Sequence, residues 1–190
     1  MVILVPLLLL FSTSPLWAQP KTYVVVPEKS QAMFEASFPL GDFRGVTQEL
    51  RGEFQVDPQN LGAGIRGTVT VNSASLKTGI EARDRDLRKT LEVDRHPVIR
   101  FTVREIRASF PSLAERTDTH LTIAGDLLIH GVERLITLRG RAQIREGQVW
   151  VRGDGVLKMT DYGIKPPKKF FLSVRDLTRV SFDALLVLRE

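Results

Sequence analysis

The chain has no cysteine. That excludes disulfides, thiol nucleophiles, thiolate metal centres and a lipid-modified N-terminal cysteine. Tryptophan and tyrosine occur twice each, and histidine three times. Neither a Gly-x-Ser-x-Gly elbow nor a Ser-x-x-Lys pair is present, so the most recognisable serine-nucleophile signatures are missing. The histidines are His96, His120 and His130. None shares a helix with a second ligand at metal-binding spacing, and without cysteine a structural zinc site is not expected. They read as turn or surface histidines. His96 is held extended by Pro97, and His130 stands in a turn before Gly131. No catalytic group, no metal and no cofactor is assigned.

Charge is absent from residues 1–20. Residues 2–11 form an apolar block, followed by Ser12 to Pro15 and by Leu16-Trp17-Ala18. This is the pattern of a secretory signal cut after Ala18, leaving residues 19–190 as the mature domain. The block is too short to span a bilayer, which takes about 20 apolar residues. All 27 Lys+Arg and 22 Asp+Glu lie beyond it, and the formal charge is +5. The two signs alternate, as in Arg83-Asp84-Arg85-Asp86, which describes a solvated mixed surface and no stripe for nucleic acid. The expected location is a bacterial periplasm or the cell exterior. A mildly basic exterior leaves transient contact with an anionic membrane surface open. A homodimer stays open too.

What the chain does have is period-two patterning rich in Val, Ile, Phe and Thr. Phe34, Ala36 and Phe38 share one strand face. Phe54 and Val56 follow the same rule, as do Val69 and Val71, and Ile99, Phe101 and Val103. Near the end Val180, Phe182, Ala184, Leu186 and Leu188 share a face. Turn signals such as Asp57-Pro58, Glu146-Gly147 and Gly153-Asp154-Gly155 separate the runs. One helix is expected from Ile80 to Leu91, where Leu87 and Leu91 lie four apart among charges. The result is a single all-β domain, an antiparallel barrel or sandwich.

Gly62-Ala63-Gly64-Ile65-Arg66-Gly67 matches the dinucleotide fingerprint letter for letter. That chemistry needs a helix after the loop. Here Gly67 runs into Thr68-Val69-Thr70-Val71, so the glycines read as a connection between strands. The strand phases point Phe34, Phe38, Phe54, Val69, Val71, Phe101 and Phe182 inward. Periodicity alone leaves open whether they fill a solid core or line a bore. Two segments depart from strand patterning and carry mixed charge: Glu81 to Leu91, and Tyr162 to Phe171. Loops at a barrel end are natural sites for function, which makes Arg83, Arg88 and Lys165 candidate donors at a mouth.

A series of phrases runs in one order along the chain: Pro27-Glu-Lys-Ser30, Arg83-Asp84-Arg85-Asp86-Leu87-Arg88, His96-Pro97-Val98-Ile99-Arg100-Phe101, Gly125 to Val132, and Asp161-Tyr162-Gly163-Ile164. In order and spacing they resemble the YceI family of exported, lipocalin-like lipid carriers. The resemblance runs from about Thr22 to Arg189. Family members usually carry His-Ser where this chain has Lys29-Ser30. The resemblance implies a single antiparallel lipocalin-like β-barrel of about eight strands with one short helix. It also implies a long apolar bore for an isoprenoid quinone or polyprenyl lipid, and a binder or carrier, not an enzyme. The seven inward residues would then be bore contacts. The competing expectation is a non-enzymatic interaction module with a solid core and partner-binding loops. A lipid-acting hydrolase or isomerase is disfavoured, since no base–nucleophile pair is visible.

Overall fold

The structure, a computed structural model, describes residues 20–169 and 171–189. The expected signal segment lies outside the described residues. Eight antiparallel strands close on themselves. In spatial order they are β1 (Lys21–Val25), β4 (Leu50–Val56), β5 (Arg66–Asn72), β6 (Val98–Ala108), β7 (Thr119–Ile129), β8 (Val132–Arg145), β9 (Gln148–Lys158) and β12 (Leu177–Leu188), which returns to β1. β12 closes the barrel by pairing Leu188 with Tyr23 and Leu186 with Val25. Closure leaves no free edge along these strands.

The first strand is broken in its middle. Pro27–Lys29 form a single 3-10 turn, after which β2 (Gln31–Ala36) takes over beside β12. Ser30 holds this kink. Its hydroxyl donates to the Val26 carbonyl at 2.7 Å and accepts from the Leu185 N–H at 3.0 Å. β3 (Phe43–Thr47) pairs with the edge of β2 that β12 does not use. A short hairpin, β10 (Lys168–Lys169) with β11 (Leu172–Ser173), follows later in the chain.

Alternation is cleanest in β7. Thr119, Leu121, Ile123, Gly125, Leu127 and Ile129 are all buried, and the residues between them are not. Two-residue turns join β7 to β8 and β8 to β9. His130-Gly131 have φ of 53° and 76°, and Glu146-Gly147 have φ of 52° and 75°. Two positive φ values in succession mark the type I′ turn, whose twist matches that of the strands it joins.

The ends of the barrel differ. At one, Leu61 and Leu113 fold over the opening and join the core of Val56, Leu121, Ala142 and Val149. The loops carrying them are tied by Leu61 N–H to Pro111 C=O at 2.8 Å and by Leu113 N–H to Pro58 C=O at 2.7 Å. At the other end lies α1 (Glu81–Thr90), with acidic residues in its first turn and Arg88 and Lys89 in its last, as the helix dipole favours. Its first turn is fixed by buried Asp84, whose Oδ1 accepts from the Thr78 N–H at 2.7 Å and the Thr78 hydroxyl at 2.6 Å. The helix spans the expected segment less one residue at each end.

Candidate functional site

The barrel is hollow. A cavity of about 880 Å³ runs along its axis, near the upper end of the 300–1,000 Å³ usual for ligand pockets. Its wall is built almost wholly of Val, Leu, Ile, Phe and Ala from alternate strand positions. This excludes the solid core of the competing expectation.

The reason lies in how the phenylalanines sit. Phe34 is directly opposite Gly45, Phe54 opposite Gly67, and Phe182 opposite Gly153. In each pair the ring covers its glycine so closely that a Cβ there would stand 2.1 Å, 2.1 Å and 2.7 Å from the ring. Phe101 covers Gly125 in the same way, at 2.5 Å. A ring laid flat on a glycine is part of the wall. A ring facing a larger residue would project into the axis and fill it.

Phe34, Phe38, Phe54, Val69, Val71, Phe101 and Phe182 all line this cavity. Sequence reasoning passed over several further lining residues. Thr178 is one, although it shares the inward phase of Val180 and Phe182 and was legible from it. It is buried, and its hydroxyl has no hydrogen-bond partner among the described residues. Met159 and Val174 come from turns, where no period marks them.

The rim at the α1 end carries the polar groups of the lining. Leu87 and Leu91 turn inward and Arg83 stands beside them, with its guanidinium 4.8 Å from the centre of the Phe43 ring. Phe43 in turn meets Phe34 edge-on at 6.2 Å. Arg88 and Lys165 are not brought to the cavity. Five residues on from Arg83, Arg88 lies about 140° around the helix and borders a shallow outer groove with Arg85 and Arg95. Lys165 is exposed because Ile164, its neighbour, takes the inward place.

Below the rim, Met159–Tyr162 form a 3-10 turn closed by Gly163 at φ 70°. Tyr162 is 1% exposed and its hydroxyl is buried without a partner among the described residues. Burial, with the neighbouring Asp161 charge, pushes this phenol up to about 12, so it is neutral at any physiological pH. The glycine-rich Leu61–Ala63 turn leads into β5, and no helix follows it.

A closed antiparallel barrel with an apolar bore and a helix at its rim defines a lipocalin-like binding barrel. Residues 23–186 match the family model described as the YceI-like domain, and the chain belongs to that family. Solved structures of the same fold include BcnA from Burkholderia cenocepacia, at 15% identity and TM-score 0.72, covering 86% of this chain and 99% of that one. A polyisoprenoid-binding domain from Saccharophagus degradans, implicated in plant cell wall breakdown, is 17% identical with TM-score 0.70, covering 88% and 98%. The YceI protein of Campylobacter jejuni is 16% identical with TM-score 0.61, covering 77% and 84%. No curated protein sequence matches the chain.

Proposed function

We propose that the protein is a non-enzymatic binder and carrier of an isoprenoid or comparable amphiphilic lipid, held with its tail along the bore and its head at the α1 rim. The observation that carries this reading is the bore itself: about 880 Å³ of apolar space kept open by rings laid on glycines. So apolar a lining offers water few hydrogen-bond partners, and a water molecule needs about two to four of them to be held in place. The fold therefore favours an apolar occupant. Each isoprene unit withdrawn from water contributes about 4 kcal/mol gross, at about 0.8 kcal/mol per carbon group. A few units outweigh the ordering cost of binding with no polar anchor. The Saccharophagus domain of similar fold is described as binding polyisoprenoids, and a quinone or polyprenyl lipid is the ligand class this bore suits.

The expected location, periplasmic or extracellular, rests on the apolar leader ending at Ala18. Exposed Leu40 and Ile80 at the cavity rim suit brief contact with a membrane during loading. The test is mass spectrometry of an organic extract of gently purified protein. A stoichiometric long-chain lipid is expected. An extract free of lipid, from protein that also takes up none when offered, overturns the reading. Intact mass of exported protein should begin at Gln19.

A further inference from the structure

Three residues that the sequence keeps apart meet on the outside of the barrel at the α1 end: Glu92, His96 and His130. One ligand atom from each lies within 4.8 Å of the other two. Each comes from a different kind of constraint. Glu92 follows α1 in a left-handed conformation, φ 46°, and its carbonyl accepts the His96 N–H at 2.8 Å. One tight turn thus carries two of the three. His130 is the first residue of the β7–β8 turn, also left-handed at φ 53°. Gly131 beside it has φ 76°, and a Cβ there would stand 2.7 Å from the His96 ring. Only a glycine lets His96 seat against that turn. The two imidazoles lie with centroids 4.8 Å apart.

The hydrogen bonds give the rings a direction. His130 Nδ1 lies 3.2 Å from the Tyr162 carbonyl, to which only an N–H can donate. A neutral His130 then has its proton on Nδ1 and a lone pair on Nε2. That lone pair faces Glu92 Oε1 at 3.4 Å, itself an acceptor. Two acceptors hold that approach only with a proton or a metal ion between them. Arg95 takes the other carboxylate oxygen, Oε2, at 2.8 Å and fixes its plane. A carbonyl behind the imidazole and a donor behind the carboxylate are the outer supports that metal ligands commonly have.

We propose that Glu92, His96 and His130 form a binding site for a divalent first-row transition ion of the zinc class. The two nitrogens and one carboxylate oxygen suit zinc or cobalt, with water completing a tetrahedron. A tetrahedral ion with bonds of about 2.0–2.1 Å holds its ligand atoms roughly 3.3 Å apart, close to the 3.4 Å between His130 and Glu92. A bound ion would tie the end of α1 to the entry of β6 and the β7–β8 turn. The site is separate from the lipid bore, and neither reading depends on the other.

Untagged, chelator-treated protein titrated with Co²⁺ and Zn²⁺ tests this. One saturable equivalent is expected, with the visible absorption of tetrahedral cobalt, displaced by zinc. In imidazole NMR spectra, one equivalent of Zn²⁺ should move the His96 and His130 resonances and leave His120 in place. His96→Gln and His130→Gln should each weaken binding at least tenfold, on the scale of lost ligand-sphere groups, and His120→Gln should not. Absence of saturable binding by the wild-type protein overturns the proposal, because a proton then bridges His130 and Glu92. Equal binding by the His96→Gln/His130→Gln double variant also overturns it. The wild-type spectra decide the matter if a variant fails to fold.

Discussion

The wall of the barrel and its α1 rim are built on opposite principles. The wall is repetitive: eight strands offer the same few apolar residue types at alternate positions. Its attraction is non-directional and scales with area. The rim is assembled from single residues on turns and one helix, each fixed by its own hydrogen bond. Asp84 clasps Thr78, His130 reaches Tyr162, and Asp176 accepts from Thr160 at 2.9 and 2.7 Å. The difference implies a division of labour. On the carrier reading proposed above, the wall would set how tightly an apolar chain is held and be indifferent to which one. The rim would decide what kind of head is tolerated, and would contribute less energy.

The sharpest way to break that division is to obstruct the wall and leave the rim intact. Val71 lines the bore, so Val71→Trp should exclude three or four methylene-sized groups of ligand. At about 0.8 kcal/mol each, that is a loss of roughly 60- to 200-fold in affinity. Because the barrel is hollow, the added ring has room, and thermal stability should change little. Gly67→Val should act the same way from the neighbouring strand, by lifting the Phe54 ring off its glycine and into the bore. Fluorescence titration with a polyprenol, beside a melting curve, reads both. Full affinity in both variants would mean that the tail does not lie along the bore.

A second test asks whether the turns at the rim are optimised for stability. Tyr162 buries a hydroxyl that has no partner among the described residues. An unpaired buried polar group costs about 1–3 kcal/mol. Tyr162→Phe should therefore leave stability unchanged or raise it by about 1 kcal/mol, seen as a higher denaturant midpoint at constant slope. A loss of similar size would show that the hydroxyl has a partner in solution.

The wall was legible in the sequence and the rim was not, for a physical reason. Period-two alternation is a property of each strand by itself, so Phe34, Phe54, Val69, Val71, Phe101 and Phe182 could be pointed inward one strand at a time. Whether the interior is hollow is a property of pairs. Phe54 is thirteen residues from Gly67 and Phe182 is twenty-nine from Gly153, and only the register makes them neighbours. A count of inward Phe against inward Gly would have hinted at it. Glu92, His96 and His130 gave less signal still. No helix carries two ligands at metal-binding spacing, because Glu92 and His96 lie four apart in a tight turn and His130 arrives from another hairpin. Charge alone does not separate Arg83 from Arg88, because the opposite sides of one charged helix face the bore rim and the solvent.

Acid should loosen the rim before the wall. The hydrogen bonds from Thr78, with lesser help from Arg88 and Lys77, hold the Asp84 carboxyl below the ordinary aspartate value of 3.8. Asp176 is lowered in the same way by Thr160. A carboxylate whose folded pKa is depressed contributes stability that is present above its ordinary pKa. That contribution is lost as pH falls through the depressed value. Amide protection factors in α1 should therefore fall below about pH 4 while β7 and β8 stay protected. Asp84→Asn should remove most of that pH dependence. Simultaneous loss of protection in α1 and β7 would show that rim and wall unfold as one unit.

The smallest expected effect separates the two arginines of α1. Arg83 borders the cavity, backed by the Phe43 ring. Arg88 faces the outer groove. A phosphate head at the mouth would lie near the first and away from the second. Partly exposed charge pairs are worth about 0.2–1 kcal/mol, so Arg83→Glu should weaken binding of a polyprenyl phosphate by up to about fivefold, and more at low salt. Its uncharged alcohol should bind either protein alike, because the wall that holds the tail is untouched. Arg88→Glu should change neither affinity. If Arg88→Glu matched Arg83→Glu, the effect would be one of net charge and the rim would have no reading head. If neither variant distinguished phosphate from alcohol, the wall alone would set affinity and the chain would accept any slender apolar tail.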